Sequence, residues 1–166
     1  MNAEAPAHPQ RASMTTCLLQ PAQPLAADDA ALSRVLRQAG VTKQSNVRVT
    51  GPSGLTTVLW LYRHGYEQAA YVHANWVSST RTADALLIPH PCGSEELAGL
   101  LQHGDCLRDG GVLIVQTPAE LTDFELDQIA ARLESLGYQL EHRVFEKGRA
   151  VFIARRSGLG GFRKAA

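Results

Sequence analysis

Two glycines three residues apart, Gly51 and Gly54, follow a short apolar run in the stretch Asn46–Leu55, NVRVTGPSGL, and a helical pattern starts directly after them. A strand that turns on glycine into a helix presents backbone N–H groups and the positive end of a helix dipole. The chemistry on offer is therefore the binding of a polar or anionic head, with Gly51, Ser53, Gly54 and Leu55 as the binding residues. The plain alternative is that the glycines only permit a tight reversal. A phosphate-gripping loop is disfavoured, because Gly54 is followed by Leu55 and Thr56 and the lysine that grips phosphate is absent.

A second set of reactive side chains follows the apolar run Ala85–Pro89. His90 stands at the carboxyl end of a predicted central strand, where ligand sites of open α/β sheets lie, and its imidazole is a candidate general base. The alternative is a loop histidine bonded to nearby backbone, since no carboxylate is in view to orient it. His90, Cys92, His103 and Cys106 also read as H-x-C…H-x-x-C, a zinc-like set. The two pairs flank a predicted helix of about ten residues, whose ends lie about 15 Å apart, too far for one tetrahedral ion. No metal is expected on that geometry, and the thiols read as buried. Glu120 is a solitary loop carboxylate, Trp60 reads as core, and Trp76 is a candidate stacking residue.

Several elements must position these residues. Asp28 or Asp29 caps a helix whose Leu32, Val35, Leu36 and Ala39 share one face, with Gly40 closing it. Val47 and Val49 form a strand, and Leu55, Val58, Leu59 and Tyr62 recur at helical spacing after the glycine turn. Gln68–Ala74 reads as a second strand parallel to the first. Ala85–Pro89 and Val112–Gln116 are buried strands, joined by a helix from Ser94 carrying Glu95 and Glu96 in its first turn, and by a turn at Arg108–Gly111. Thr122 and Glu125 have capping-box spacing ahead of Leu126, Ile129, Leu133 and Leu136, and Gly137 ends that helix. Tyr138–Glu146 alternates through Leu140, His142 and Val144 and turns back at Lys147-Gly148 into Ala150–Ala154 as an antiparallel hairpin.

At 166 residues, 45% of them apolar, the chain has room for a single cored domain. Residues 27–156 are read as that domain, residues 1–26 as a flexible tail and residues 157–166 as a basic tail. Lys plus Arg equals Asp plus Glu at 16 each, so nucleic acid is unsupported as a partner. No apolar run approaches the roughly 20 residues of a membrane span. Cys17, Cys92 and Cys106, odd in number and widely spaced, suit a reducing compartment, and a cytoplasmic location is expected.

Parallel βαβ units followed by a terminal hairpin resemble the class I S-adenosylmethionine-dependent methyltransferase family, a Rossmann-like group. The stretches that carry the resemblance are NVRVTGPSGL, DALLIPHPCGSEELAGLLQHGDCLRDGGVLIVQ and LESLGYQLEHRVFEKGRAVFIARR, and the resemblance covers roughly residues 28–156 with a gap in the middle. The resemblance implies an open, mostly parallel sheet with helices on both faces. It also implies S-adenosylmethionine as cofactor, with Gly51, Ser53 and Gly54 at its methionine end, Asn75 near its ribose and His90 near a methyl acceptor.

Three departures bear on function. Val49 and Thr50 stand where the family carries an acid, and Pro52 removes an N–H donor from the loop. His73, Ala74 and Asn75 replace the Asp or Glu that accepts from both ribose hydroxyls. About eight residues between the second and fourth strands of the family plan cannot hold its third strand with two helices. The expected sheet is therefore truncated, with Gln68–Ala74 at its edge, where it pairs with a second copy or docks a protein partner. The reading is a degenerate methyltransferase-like domain with a binding or regulatory role; the alternative is a small active methyltransferase of unknown acceptor. A nucleotide-binding oxidoreductase fragment is weaker, because the three-glycine spacing and the acidic ribose ligand are missing.

Overall fold

The computed structural model describes residues 25, 28–73, 82–103, 106–119, 121–146 and 149–158. Helix α1 (Asp29–Gln38) is capped by Asp28, whose carboxylate accepts from the Ala31 N–H, so the choice between two aspartates falls on the first. Its Leu32, Val35, Leu36 and Ala39 are buried, and Gly40 takes a positive φ of 71° just beyond the helix end, where a side chain would be strained. Strand β1 (Val47–Val49) leads through the glycine turn into α2 (Gly54–Arg63), and β2 (Ala69–Tyr71) returns parallel to β1.

Helix α2 is rotated from the expected face. Thr57, Val58, Trp60 and Leu61 are buried, whereas Leu55, Leu59 and Tyr62 are 65%, 58% and 52% exposed. The sequence LTTVLWLY is apolar nearly all round, so periodicity offered two stripes. Gly54 decides between them, because its missing side chain lets this end of the helix close onto the Tyr71 ring, turning 54, 57, 58 and 61 inward. Trp60 is core, as expected, and its indole N–H donates to Asp29 at 2.5 Å.

The rest of the sheet comprises β3 (Ala83–Ile88), β4 (Leu107–Ala119), β5 (Tyr138–Glu146) and β6 (Arg149–Arg156), with α3 (Ser94–His103) and α4 (Asp123–Ser135) between them. The strand order is β2-β1-β3-β4-β6-β5. The first four strands are parallel, and β6 is antiparallel to both β4 and β5. The expected α/β plan is thus present, with β2 at the end of the described sheet.

Successive residues of the central strands face opposite layers. Leu87, Ile114 and Ile153 pack with α1 and α2, while Leu86, Leu113 and Phe152 pack with α3 and α4. The expected turn at Arg108–Gly111 is an excursion inside β4. Between the pairs Ala83–Leu107 and Ala85–Val112, β4 spends five steps against two, with Gly110 at φ 73°. Strand β5 also departs from simple alternation. Leu140 faces Ala154 and His142 faces Ile153, so Glu141 is a bulge residue and His142 is exposed rather than half-buried.

Upstream of α1, Leu25 is buried and donates its N–H to the Pro89 carbonyl at 3.0 Å. Among the described residues no helix is long and apolar enough to cross a membrane.

Candidate functional site

The site is built where β1, β2 and β3 end. Gly51 has φ +93°, which only glycine takes without strain, and Gly54 N–H closes the turn by donating to the Gly51 carbonyl at 3.0 Å. Ser53 is the N-cap of α2, but its hydroxyl caps nothing; its carbonyl accepts from Thr57. Leu55 belongs to the exposed row of α2.

The space above both glycines is filled from within the chain. A side chain on Gly51 would collide with Cε1 and Nδ1 of His90, and one on Gly54 would collide with the Tyr71 ring. The sequence puts His90 at the carboxyl end of a central strand, and the structure sets its ring against Gly51. Sequence reasoning missed Tyr71, whose alternation in a three-residue strand gives no sign of where its ring lies.

His90 is 7% exposed, and its Nε2 lies 2.9 Å from Oε1 of Glu96. The carboxylate that orients His90 is therefore Glu96, a residue whose place in the first turn of α3 suggests in sequence only a partner for the helix dipole. The two are six positions apart, and the path of the Pro89–Gly93 loop brings them together. Cys92 is fully buried against the same pair. Burial, and then the nearby Glu96 carboxylate, push its thiol up to about 12. Thr50 Oγ1 and His90 Nδ1 are both buried without a hydrogen-bond partner.

The H-x-C…H-x-x-C set is split by the fold. Cys106 hands its carbonyl to Ala83 at the start of β3, while His90 follows the end of the same strand. Six strand residues separate them by about 20 Å. The side chain of His103 lies outside the described residues, as do Asn75, Trp76 and Glu120.

No family model and no curated protein matches the sequence. Solved structures do match. A SAM-dependent methyltransferase from Aquifex aeolicus aligns with TM-score 0.60 at 13% identity, covering 74% of this chain and 88% of its own. The ribosomal protein L11 methylase of Lactobacillus delbrueckii subsp. bulgaricus aligns with TM-score 0.56 at 12% identity, over 78% and 79%. A methyltransferase from Pyrococcus furiosus aligns with TM-score 0.53 at 16% identity, over 76% and 83%. The fold is that of the class I S-adenosylmethionine-dependent methyltransferases.

In this methyltransferase fold the cofactor would lie across the glycine turn, so that turn is where its fit is tested. Among the described residues neither strand end carries a carboxylate. β1 ends at Val49 and is followed by Thr50, and β2 ends at Tyr71 and is followed by Val72 and His73. The cradle that a small residue at Gly51 should leave open holds an imidazole, and that at Gly54 holds a phenol ring. The described residues do not fit S-adenosylmethionine bound over the turn.

Proposed function

We propose that this chain is a methyltransferase-fold protein that no longer carries out methyl transfer and works instead by binding a partner. One observation supports this reading above the others: the His90 imidazole and the Tyr71 ring hold the space over Gly51 and Gly54. Displacing two packed rings and supplying no acid for either the ammonium or the ribose would leave the ligand's polar groups unpaired, at a cost of about 1–3 kcal/mol for each buried group. Calorimetric titration of the full chain with S-adenosylhomocysteine tests the reading. No heat up to millimolar ligand is expected. Micromolar binding would overturn it in favour of an active methyltransferase, with Gly51, Ser53 and Gly54 on the methionine end and His90 beside the acceptor.

The partner surface in this reading is the outer edge of β2 with the exposed row of α2, and its occupant is a second copy. Gln68 carbonyl and Val72 N–H point toward β1, so the backbone groups of Ala69 and Tyr71 point away from it. The Tyr62 hydroxyl covers the Ala69 carbonyl at 2.8 Å, joining the Leu55–Leu59–Tyr62 row to that edge. Ala69, Ala70 and Tyr71 carry no charge, and the chain has formal net charge zero, so two copies meet without net repulsion. The unpaired thiols of Cys92 and Cys106 accord with a cytoplasmic location.

A further inference from the structure

We propose that His90, Cys92 and Glu96 form a binding site for a divalent transition metal, zinc in the first instance. Their ligand atoms all lie within 4.8 Å of one another. This is a different set from the four residues whose spacing suggests zinc in the sequence, since it keeps His90 and Cys92 and takes its third ligand from the first turn of α3. Imidazole nitrogen, thiolate sulfur and carboxylate oxygen are the three donor types of zinc sites, and three protein ligands leave a fourth tetrahedral position for water or another ligand.

The donors are held in place before any ion arrives. Pro89 and Pro91 flank His90, the Pro89 carbonyl accepts from Leu25, and the Cys92 N–H donates to the Gln116 carbonyl at 3.0 Å. His90 and Cys92 are buried, while Glu96 is 51% exposed at its side chain, so the cluster opens to solvent on the Glu96 side and offers a way in. The imidazole presents Nε2 to the cluster, because Nδ1 is turned against Gly51.

The charge arithmetic also favours an ion. A thiolate and a carboxylate neutralise a divalent cation, so the closed site is uncharged despite two buried donors. Without the ion, the Cys92 sulfur makes a 3.7 Å contact to the Gly93 carbonyl and faces the Glu96 carboxylate. Binding replaces the Cys92 S–H bond with a metal–sulfur bond and sends that proton to solvent, while the imidazole ligates through the Nε2 lone pair with its N–H at Nδ1. The bound ion would fix the ring that covers Gly51. The site stands whether or not S-adenosylhomocysteine binds.

Anaerobic titration of the full chain carrying Cys17→Ser and Cys106→Ser with Co²⁺ tests the proposal, because Cys92 is then the sole thiol. The expected result is a thiolate-to-cobalt charge-transfer band that saturates at one ion per chain, releases one proton and is displaced by Zn²⁺. Glu96→Gln, a change at an exposed position, should weaken the ion's binding about tenfold or more while circular dichroism stays unchanged. Adding Cys92→Ser should abolish the band. No band at stoichiometric Co²⁺ in a folded chain, a band that survives Cys92→Ser, or unchanged affinity in Glu96→Gln would each overturn the assignment.

Discussion

At the scale of single residues, Gly54 and Tyr71 are the most informative pair, because one exists to admit the other. Gly54 is helical, so alanine there is acceptable to the backbone, and what opposes it is the Tyr71 ring. Gly54→Ala should lower stability by about 1–3 kcal/mol through overpacking. The loss should shrink sharply in a Tyr71→Ala background, a coupling that a double-mutant cycle of denaturant melts will read. Gly51→Ala should behave differently, since its positive φ keeps a backbone penalty even when His90 is also truncated. Asp84 is a second residue with a measurable signature. The Asn46 N–H donates to its carboxylate at 2.7 Å and lowers its pKa, burial works the other way, and Arg108 lowers it further. A carboxyl depressed in the folded state stabilises above its unfolded pKa, and that contribution fades as pH falls through the folded value. Asp84→Ala should cost about 1 kcal/mol at neutral pH after allowance for solvent screening. The difference from the parent should narrow in melts at acid pH.

At the scale of elements, legibility followed how much of each decision is local. Helix α4 was readable because its start is written in four residues. Thr122 Oγ1 accepts from the Glu125 N–H while the Glu125 carboxylate accepts from the Thr122 N–H. Thr122→Ala should cost about 1 kcal/mol and lower Tm by about 2–4 °C, measurable by calorimetry. Strand β3 was readable because a strand covered on both faces is apolar throughout. The face of α2 was not readable, because its choice depends on a ring from β2. Nor was the His90–Glu96–Cys92 grouping, since the loop that folds Glu96 back onto His90 has no period to follow. The excursion in β4 was visible as Gly110-Gly111, but whether such glycines end a strand or bend it depends on the partner strand.

At the scale of the whole molecule, strand direction follows from connection lengths and the parallel preference of βαβ units, so the mostly parallel sheet and its antiparallel hairpin are legible in the sequence, whereas the strand order is not, apart from the second strand at the edge. The exposed row of α2 is not legible either, and it carries the prediction about assembly. Sedimentation equilibrium should show a dimer at high micromolar concentration, and Leu59→Glu should shift it to monomer with circular dichroism unchanged, since Leu59 is exposed in the single chain. A wild-type monomer at that concentration would remove the self-pairing assignment. The bulge at Glu141 has a consequence for how this molecule comes apart. Tyr138 and Leu140 pack into the layer of α3 and α4, and beyond the bulge Val144 packs into that of α1 and α2. One strand thereby stitches two cores together, and neither can melt while the other keeps its grip on β5. Heat should therefore dissolve both layers in one cooperative transition, with calorimetric and van't Hoff enthalpies in agreement.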